Sequence, residues 1–223
     1  IGKRYVQEGE VKVDEDSILI ERACGMDCFI KDMSPIAIER DFTRQYILHP
    51  DARPFIQQIQ TSFANIARGK DLVIIEGTGH AGVGSVFDLS NAAVAKLLDA
   101  PVVIVSSSGI GRPIDEIALN KSLFKENGVP IIGAIINKII PDKLDMVKEF
   151  LAAGLARLSV NFLGAIPLEQ YLSNPAMEQI VEDCHGEVIN GHEFLKNVAG
   201  KIVIGAMTPH RAMDYFAPGT VVI

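Results

Sequence analysis

The apolar run Leu72-Val73-Ile74-Ile75 ends in a carboxylate, Glu76, and then in a loop carrying Gly77, Gly79 and Gly82. A short apolar run bounded by turn residues reads as a buried strand, and ligands of open parallel sheets bind where strands end. A carboxylate at that point can hold Mg²⁺ or orient a water. The plain alternative is a solvated glutamate before a turn. The glycines favour a ligand, because backbone without side chains can approach one closely. The same glycines match G-x-G-x-x-G after a strand, the dinucleotide-binding pattern. Two features speak against that use. A further turn at Gly84-Ser85 separates the third glycine from any helix, and Glu76 beside Gly77 would repel a pyrophosphate. A dinucleotide-binding oxidoreductase stays open as a minor alternative.

A second candidate lies in Gly133-Ala134-Ile135-Ile136-Asn137-Lys138. Asn137 falls where a buried strand should end. Its amide donates and accepts together, which suits the edge of a purine ring. The alternative is an asparagine capping a strand-to-helix turn. A carboxylate two residues beyond the lysine would select guanine; that position is Ile140, so guanine selectivity is not supported.

The elements that must position these residues follow a repeating pattern. Leu72–Ile75, Val102–Val105, Ile131–Ile136 and Phe162–Ile166 read as strands. The first three show no polar alternation, as expected when both faces of a sheet are covered. Helical patterns at 89–98, 113–126 and 141–158 lie between them, which predicts βαβ crossovers and a parallel sheet. Upstream, residues 14–23 and 51–68 read as helices, the second with a face of Phe55, Ile56, Ile59, Phe63 and Ile66. Beyond about residue 170 the elements shorten. Asn174-Pro175 and Thr208-Pro209 predict capped helix starts, and 202–204 predicts a strand. A domain boundary is therefore expected near residue 170, giving domains of 1–170 and 171–223.

Composition excludes other classes. Hydrophobic residues make 48% of the 223, too many for a disordered chain. No apolar run approaches the roughly 20 residues of a membrane span. The net charge is −7 with no cluster of five basic residues, which argues against nucleic-acid or anionic-membrane binding. Cys24, Cys28 and Cys184 are odd in number and match no common metal or redox spacing, so a reducing, cytoplasmic setting is expected. The chain starts at Ile1 and stops inside the apolar run Thr220-Val221-Val222-Ile223, which reads as a fragment of something longer.

The order IIEGTG, VVIVSSSGIG, GAIINKI, GAIPLE resembles the dethiobiotin synthetase-like branch of the P-loop ATPases. More closely, it resembles the branch fused to a DRTGG domain, which includes phosphotransacetylase N-terminal regions and cobyrinic acid a,c-diamide synthase-like proteins. The resemblance covers about residues 1–170, and the tail from Lys201 is similar to the opening of a DRTGG domain. It implies an α/β fold, a parallel sheet with helices on both faces, followed by the start of a small α+β domain.

It also implies ATP and Mg²⁺ as cofactors. Glu76 would be a metal ligand together with Asp16, whose alternative is a plain carboxylate at a helix N-terminus. Asn137 would touch adenine, with Pro167 and Leu168 lining the other side. The loop Gly77–Gly84, whose Gly77 and Gly79 would also bind the cofactor, and the loop Ser106–Arg112 would face an unidentified small-molecule substrate or effector. Gly2-Lys3-Arg4 would lie where the family carries substrate contacts. No GxxxxGK[S/T] occurs in the chain, so the Walker A segment is expected before Ile1. An enzyme of this kind phosphorylates a carboxylate or carbamate to activate it; the competing expectation is a non-catalytic nucleotide sensor. Homodimerisation is the family habit. The catalytic residues, the substrate and the second domain's ligand are not given by the sequence.

Overall fold

Apolar strands pair only where a neighbouring backbone completes the ladder, and that condition decides which runs become sheet. The protein is described here by a computed structural model covering residues 5–8, 11–26, 28–38 and 42–223. It divides into two compact units, Ile1–Ile166 and Pro167–Ile223.

The first unit opens with an antiparallel pair, β1 (Tyr5–Glu8) and β2 (Val11–Asp14). Helix α1 (Glu15–Cys24) follows at once because Asp14 caps it: its side chain accepts from the Asp16 N–H. Gly25, with φ 58°, ends it in the left-handed conformation. After α2 (Ile30–Met33) and α3 (Phe42–Leu48) comes α4 (Arg53–Ala67), where the 3.6-residue periodicity predicted a helix. Its Phe55, Ile56 and Ile59 pack with Ile36, Tyr46, Phe87 and Leu89 in one core.

The larger core belongs to the parallel sheet and its flanking helices. Its elements are α5 (Asn91–Leu97), β3 (Val102–Ser107), α6 (Gly111–Glu126), β4 (Ile131–Ile139), α7 (Leu144–Arg157) and β5 (Phe162–Pro167). The strand order is β3-β4-β5, and β3 runs parallel to β4 with Ser107 beside Asn137. Ile117, Ile136, Leu151 and Leu155 are fully buried between sheet and helices. Each stabilises the fold by about 1.5–3 kcal/mol.

Three expectations for this unit need correction. The run Leu72–Ile75 joins no ladder; Leu72 is 75% and Ile74 86% exposed. Its composition suits a strand, but among the described residues no backbone lies alongside to pair with it. Asn137 does not end its strand, which continues to Ile139 through Lys138 at φ 61°. Pro141 begins a 3₁₀ turn, Pro141–Lys143, before α7 starts.

The second unit contains α8 (Met177–Asp183), β6 (Lys201–Val203), α9 (Pro209–Ala212) and β7 (Thr220–Val222), with β6 parallel to β7. Asn174 does not cap α8. The helix opens after Ala176, which bridges Val198, while Pro175 takes the Ala199 N–H. Among the described residues no helix is long and apolar enough to cross a membrane.

Candidate functional site

The residues after Glu76 form a tightly tied loop. Turns at 81–84 and a short 3₁₀ segment at Ser85–Phe87 lead to α5. Gly84 must be glycine: its φ is 97°, and a Cβ would run into the Leu89 carbonyl.

The carbonyls of Thr78 and of residues 80–84 are spent on neighbours. Asn91 Nδ2 donates to the Thr78 and His80 carbonyls, 2.9 Å each. The Asn91 and Ala92 N–H groups donate to the Val83 and Ala81 carbonyls. The third free donor of α5, the Ala93 N–H, goes to Ser90 Oγ. A dinucleotide site needs the N-terminus of the following helix open to the pyrophosphate. Here the loop itself occupies it, a third argument against the G-x-G-x-x-G reading.

The loop's N–H groups are arranged differently. Ala81 N–H donates to Asn120 Oδ1 at 2.6 Å and Gly82 N–H to His80 Nδ1 at 3.2 Å. Those of Gly77, Thr78, Gly79 and His80 have no acceptor among the described residues. Successive unpaired N–H groups form a concavity that accepts anions. Glu76 directly precedes them and is exposed.

Helix α6 holds this loop and the next one together. Asn120 anchors the loop at Ala81 and donates its own Nδ2 to the Glu116 carbonyl. One turn earlier, the Glu116 carboxylate accepts from Ser106 Oγ at 2.9 Å and Arg112 Nε at 2.7 Å. Ser106 is buried at the end of β3 and Arg112 is exposed in the first turn of α6. The Arg112 hydrogen bond, followed by that of Ser106, holds the Glu116 carboxyl below the usual range. The carboxylate therefore stays charged and the guanidinium stays oriented at neutral pH.

Asn137 joins this edge through the β3–β4 register, which sets it beside Ser107. Its Oδ1 accepts from the Lys138 N–H at 2.8 Å, leaving the amide hydrogens for another acceptor.

Helix α6 thus ties the glycine-rich loop at Ala81 and the end of β3 at Ser106, and Asn137 lies beside Ser107 at the carboxyl edge of the sheet. Asp16 is exposed in the first turn of α1, and no hydrogen bond or ion pair among the described residues joins it to Glu76. No cluster of three or more His, Cys, Asp or Glu suited to a metal occurs among the described residues. Pro167 ends β5, exposed, and Leu168 follows half-buried; both belong to the second unit. Gly2-Lys3-Arg4 lies outside the described residues. A cleft of about 550 Å³ lies elsewhere, lined by Lys12, Asp32, Gln58 and Ser62 among others. Its buried carboxylate, Asp32, is already satisfied by Ser62 Oγ and Asn65 Nδ2.

Sequence comparisons identify the families that the chain matches. The AAA_26 family, described as an AAA domain, matches residues 4–176, and the DRTGG domain family matches residues 179–223. A phosphate acetyltransferase of Nitrosomonas europaea is 27% identical over 75% of this chain and 25% of its own length. An ATP-dependent dethiobiotin synthetase BioD of Corynebacterium diphtheriae is 25% identical over 81% of this chain and 80% of its own. A cobyric acid synthase of Listeria welshimeri is 28% identical over 53% of this chain and 24% of its own. The chain spans about a quarter of the length of the first phosphate acetyltransferases it matches. No solved structure matches it.

Proposed function

The chain belongs to the AAA_26 family of AAA domains, and from that premise we infer that it binds ATP with Mg²⁺ at the carboxyl edge of its parallel sheet. The observation that carries this reading is the loop after Glu76. The carbonyls of Thr78 and His80 are tied to Asn91, the N–H groups at residues 77–80 lack acceptors among the described residues, and a carboxylate precedes them in the chain. Polarised N–H groups receive phosphate oxygens, and Mg²⁺ commonly takes one or two carboxylates with phosphate oxygens and waters. Glu76 would hold the metal, joined by Asp16. Asn137 would meet the adenine. Residues 1–170 would be the nucleotide domain and 171–223 the start of a DRTGG-like domain. The reaction class that fits is phosphoryl transfer to a carboxylate or carbamate on a small molecule, the chemistry expected of a ligase-like synthase.

A second reading, a nucleotide-sensing regulatory domain, is favoured by one observation. The chain carries a DRTGG match and aligns with a limited part of phosphate acetyltransferases. Calorimetric titration of Mg·ATP into the full-length protein, with phosphate release measured alongside, tests both. An enzyme loses turnover on Glu76→Gln; a sensor has no rate to lose and binds Mg·ATP more weakly. Unchanged binding and unchanged release in the variant would remove Glu76 from the site.

A further inference from the structure

We propose that Asn91, the first residue of α5, is the positioning residue that turns the glycine-rich loop's N–H groups toward a phosphate. The inference rests on the nucleotide reading above and names a residue that sequence patterns do not single out.

The argument starts from peptide geometry. In a trans peptide the carbonyl and the following N–H point in opposite directions. Asn91 Nδ2 holds the Thr78 carbonyl at 2.9 Å, so the Gly79 N–H of the same peptide must point away from Asn91. Gly79 sits at φ 70°, where a side chain would be strained, and this lets the chain turn at that peptide. The second Nδ2 hydrogen holds the His80 carbonyl at 2.9 Å; the opposite end of that peptide, the Ala81 N–H, is taken up by Asn120. One amide thus fixes two peptides of the loop.

Gly77 supplies an independent sign of close fit. A Cβ there would come within 3.1 Å of the Asn91 side-chain carbonyl carbon and oxygen. The absent side chain is what lets Asn91 lie against the loop. Asn91 is itself fixed, since its N–H donates to Val83 and Ser90 caps its helix.

The positioning role predicts a selective defect. Asn91→Ala removes both donors. Asn91→Asp keeps the shape, replaces donors by acceptors facing two carbonyls, and adds a negative charge that the start of a helix tolerates well. Amide exchange followed by mass spectrometry should rise about tenfold at the hydrogen-bonded amides of Ala81, Gly82 and Val83 in both variants, the effect of losing about 1.4 kcal/mol of hydrogen bonding. Exchange across residues 131–139 should stay unchanged. In the full-length protein, Mg·ATP should bind about tenfold more weakly to Asn91→Ala, while adenosine, which carries no phosphate, binds as to the wild type.

A merely structural asparagine would weaken both ligands together or raise exchange throughout the fold, and either result overturns the proposal. So does a loosened loop with Mg·ATP affinity unchanged. A wild-type protein that binds neither Mg·ATP nor adenosine would instead refute the nucleotide reading, and the exchange measurement would still decide whether Asn91 holds the loop.

Discussion

Replacing Tyr46 by Phe should destabilise the first unit at the point where the glycine-rich loop ends. The Tyr46 hydroxyl donates to the Phe87 carbonyl at 3.0 Å and to Asp88 Oδ2 at 3.1 Å. One hydroxyl hydrogen serves both acceptors, so the two contacts count as one shared donor rather than two bonds. Asp88 is exposed and turns to water when the hydroxyl is gone. Phe87 is only 7% exposed, and its carbonyl loses the donor outright. The expected loss is therefore about 1–2 kcal/mol. The ring itself is retained, with its contacts at 5.4 Å to Phe87 and 6.0 Å to Phe42, so the loss stays well below the 3–5 kcal/mol typical of deleting a buried aromatic. The assay is the opening free energy from amide exchange at residues 84–90, which avoids treating two units as one transition. A pH series adds a sign. Burial, then the hydrogen bond to Asp88, raises the Tyr46 pKa above its ordinary value. A raised pKa contributes stability below the unfolded value and loses it as pH rises through the folded one. The gap between wild type and Tyr46→Phe should therefore close above about pH 10. Equal stabilities at neutral pH, or a gap that persists in strong alkali, would refute the assigned role of the hydroxyl.

Asn137→Ala in the full-length protein should weaken ATP binding by about 1–3 kcal/mol, the cost of an unsatisfied buried partner; calorimetry should also show no preference for GTP, since Ile140 supplies no carboxylate. Glu116→Gln should abolish an acid-dependent part of stability. The Glu116 pKa is lowered by Arg112 and then Ser106, so its contribution is present above the unfolded carboxylate value and lost as pH falls through the folded one. Melting curves of wild type and variant should therefore differ at neutral pH and converge in acid; parallel curves across the range would show that the carboxylate does no such work.

The strands at 102, 131 and 162 were legible because residues buried on a paired sheet leave an apolar run in the chain. Leu72–Ile75 has the same composition and a different outcome. Sheet membership depends on a neighbour, and nothing local in a sequence encodes the neighbour. The candidate site divides along the same line. Glu76 and the glycines stand out because their types and spacing are contiguous. Asn91, Asn120 and Glu116 do not, because each acts through a bond to a residue 10 to 39 positions away. Tyr46 reaches Phe87 across 41 positions. An asparagine directly after a capping Ser90 and a glycine-rich loop was the one available hint, and it reads equally well as ordinary helix start.

The electrostatics of the loop narrow what it can receive. N–H groups at residues 77–80, unpaired among the described residues, attract an anion, yet Glu76 adjoins them and repels one. At about 5 Å, with an effective dielectric near 20, two unit charges of like sign oppose each other by about 3 kcal/mol. A bare phosphate or pyrophosphate would meet that opposition in full. A phosphate carrying a divalent cation would not, because the metal turns the carboxylate from a repelling charge into a ligand. The same helix that ties the loop down, α6, also presents Arg112, oriented by Glu116, at the neighbouring loop. A second anionic group on the ligand or its co-substrate has a cation to meet there. The arrangement therefore suits a metal–phosphate complex with a further carboxylate or phosphate beside it, better than it suits either a free anion or a dinucleotide.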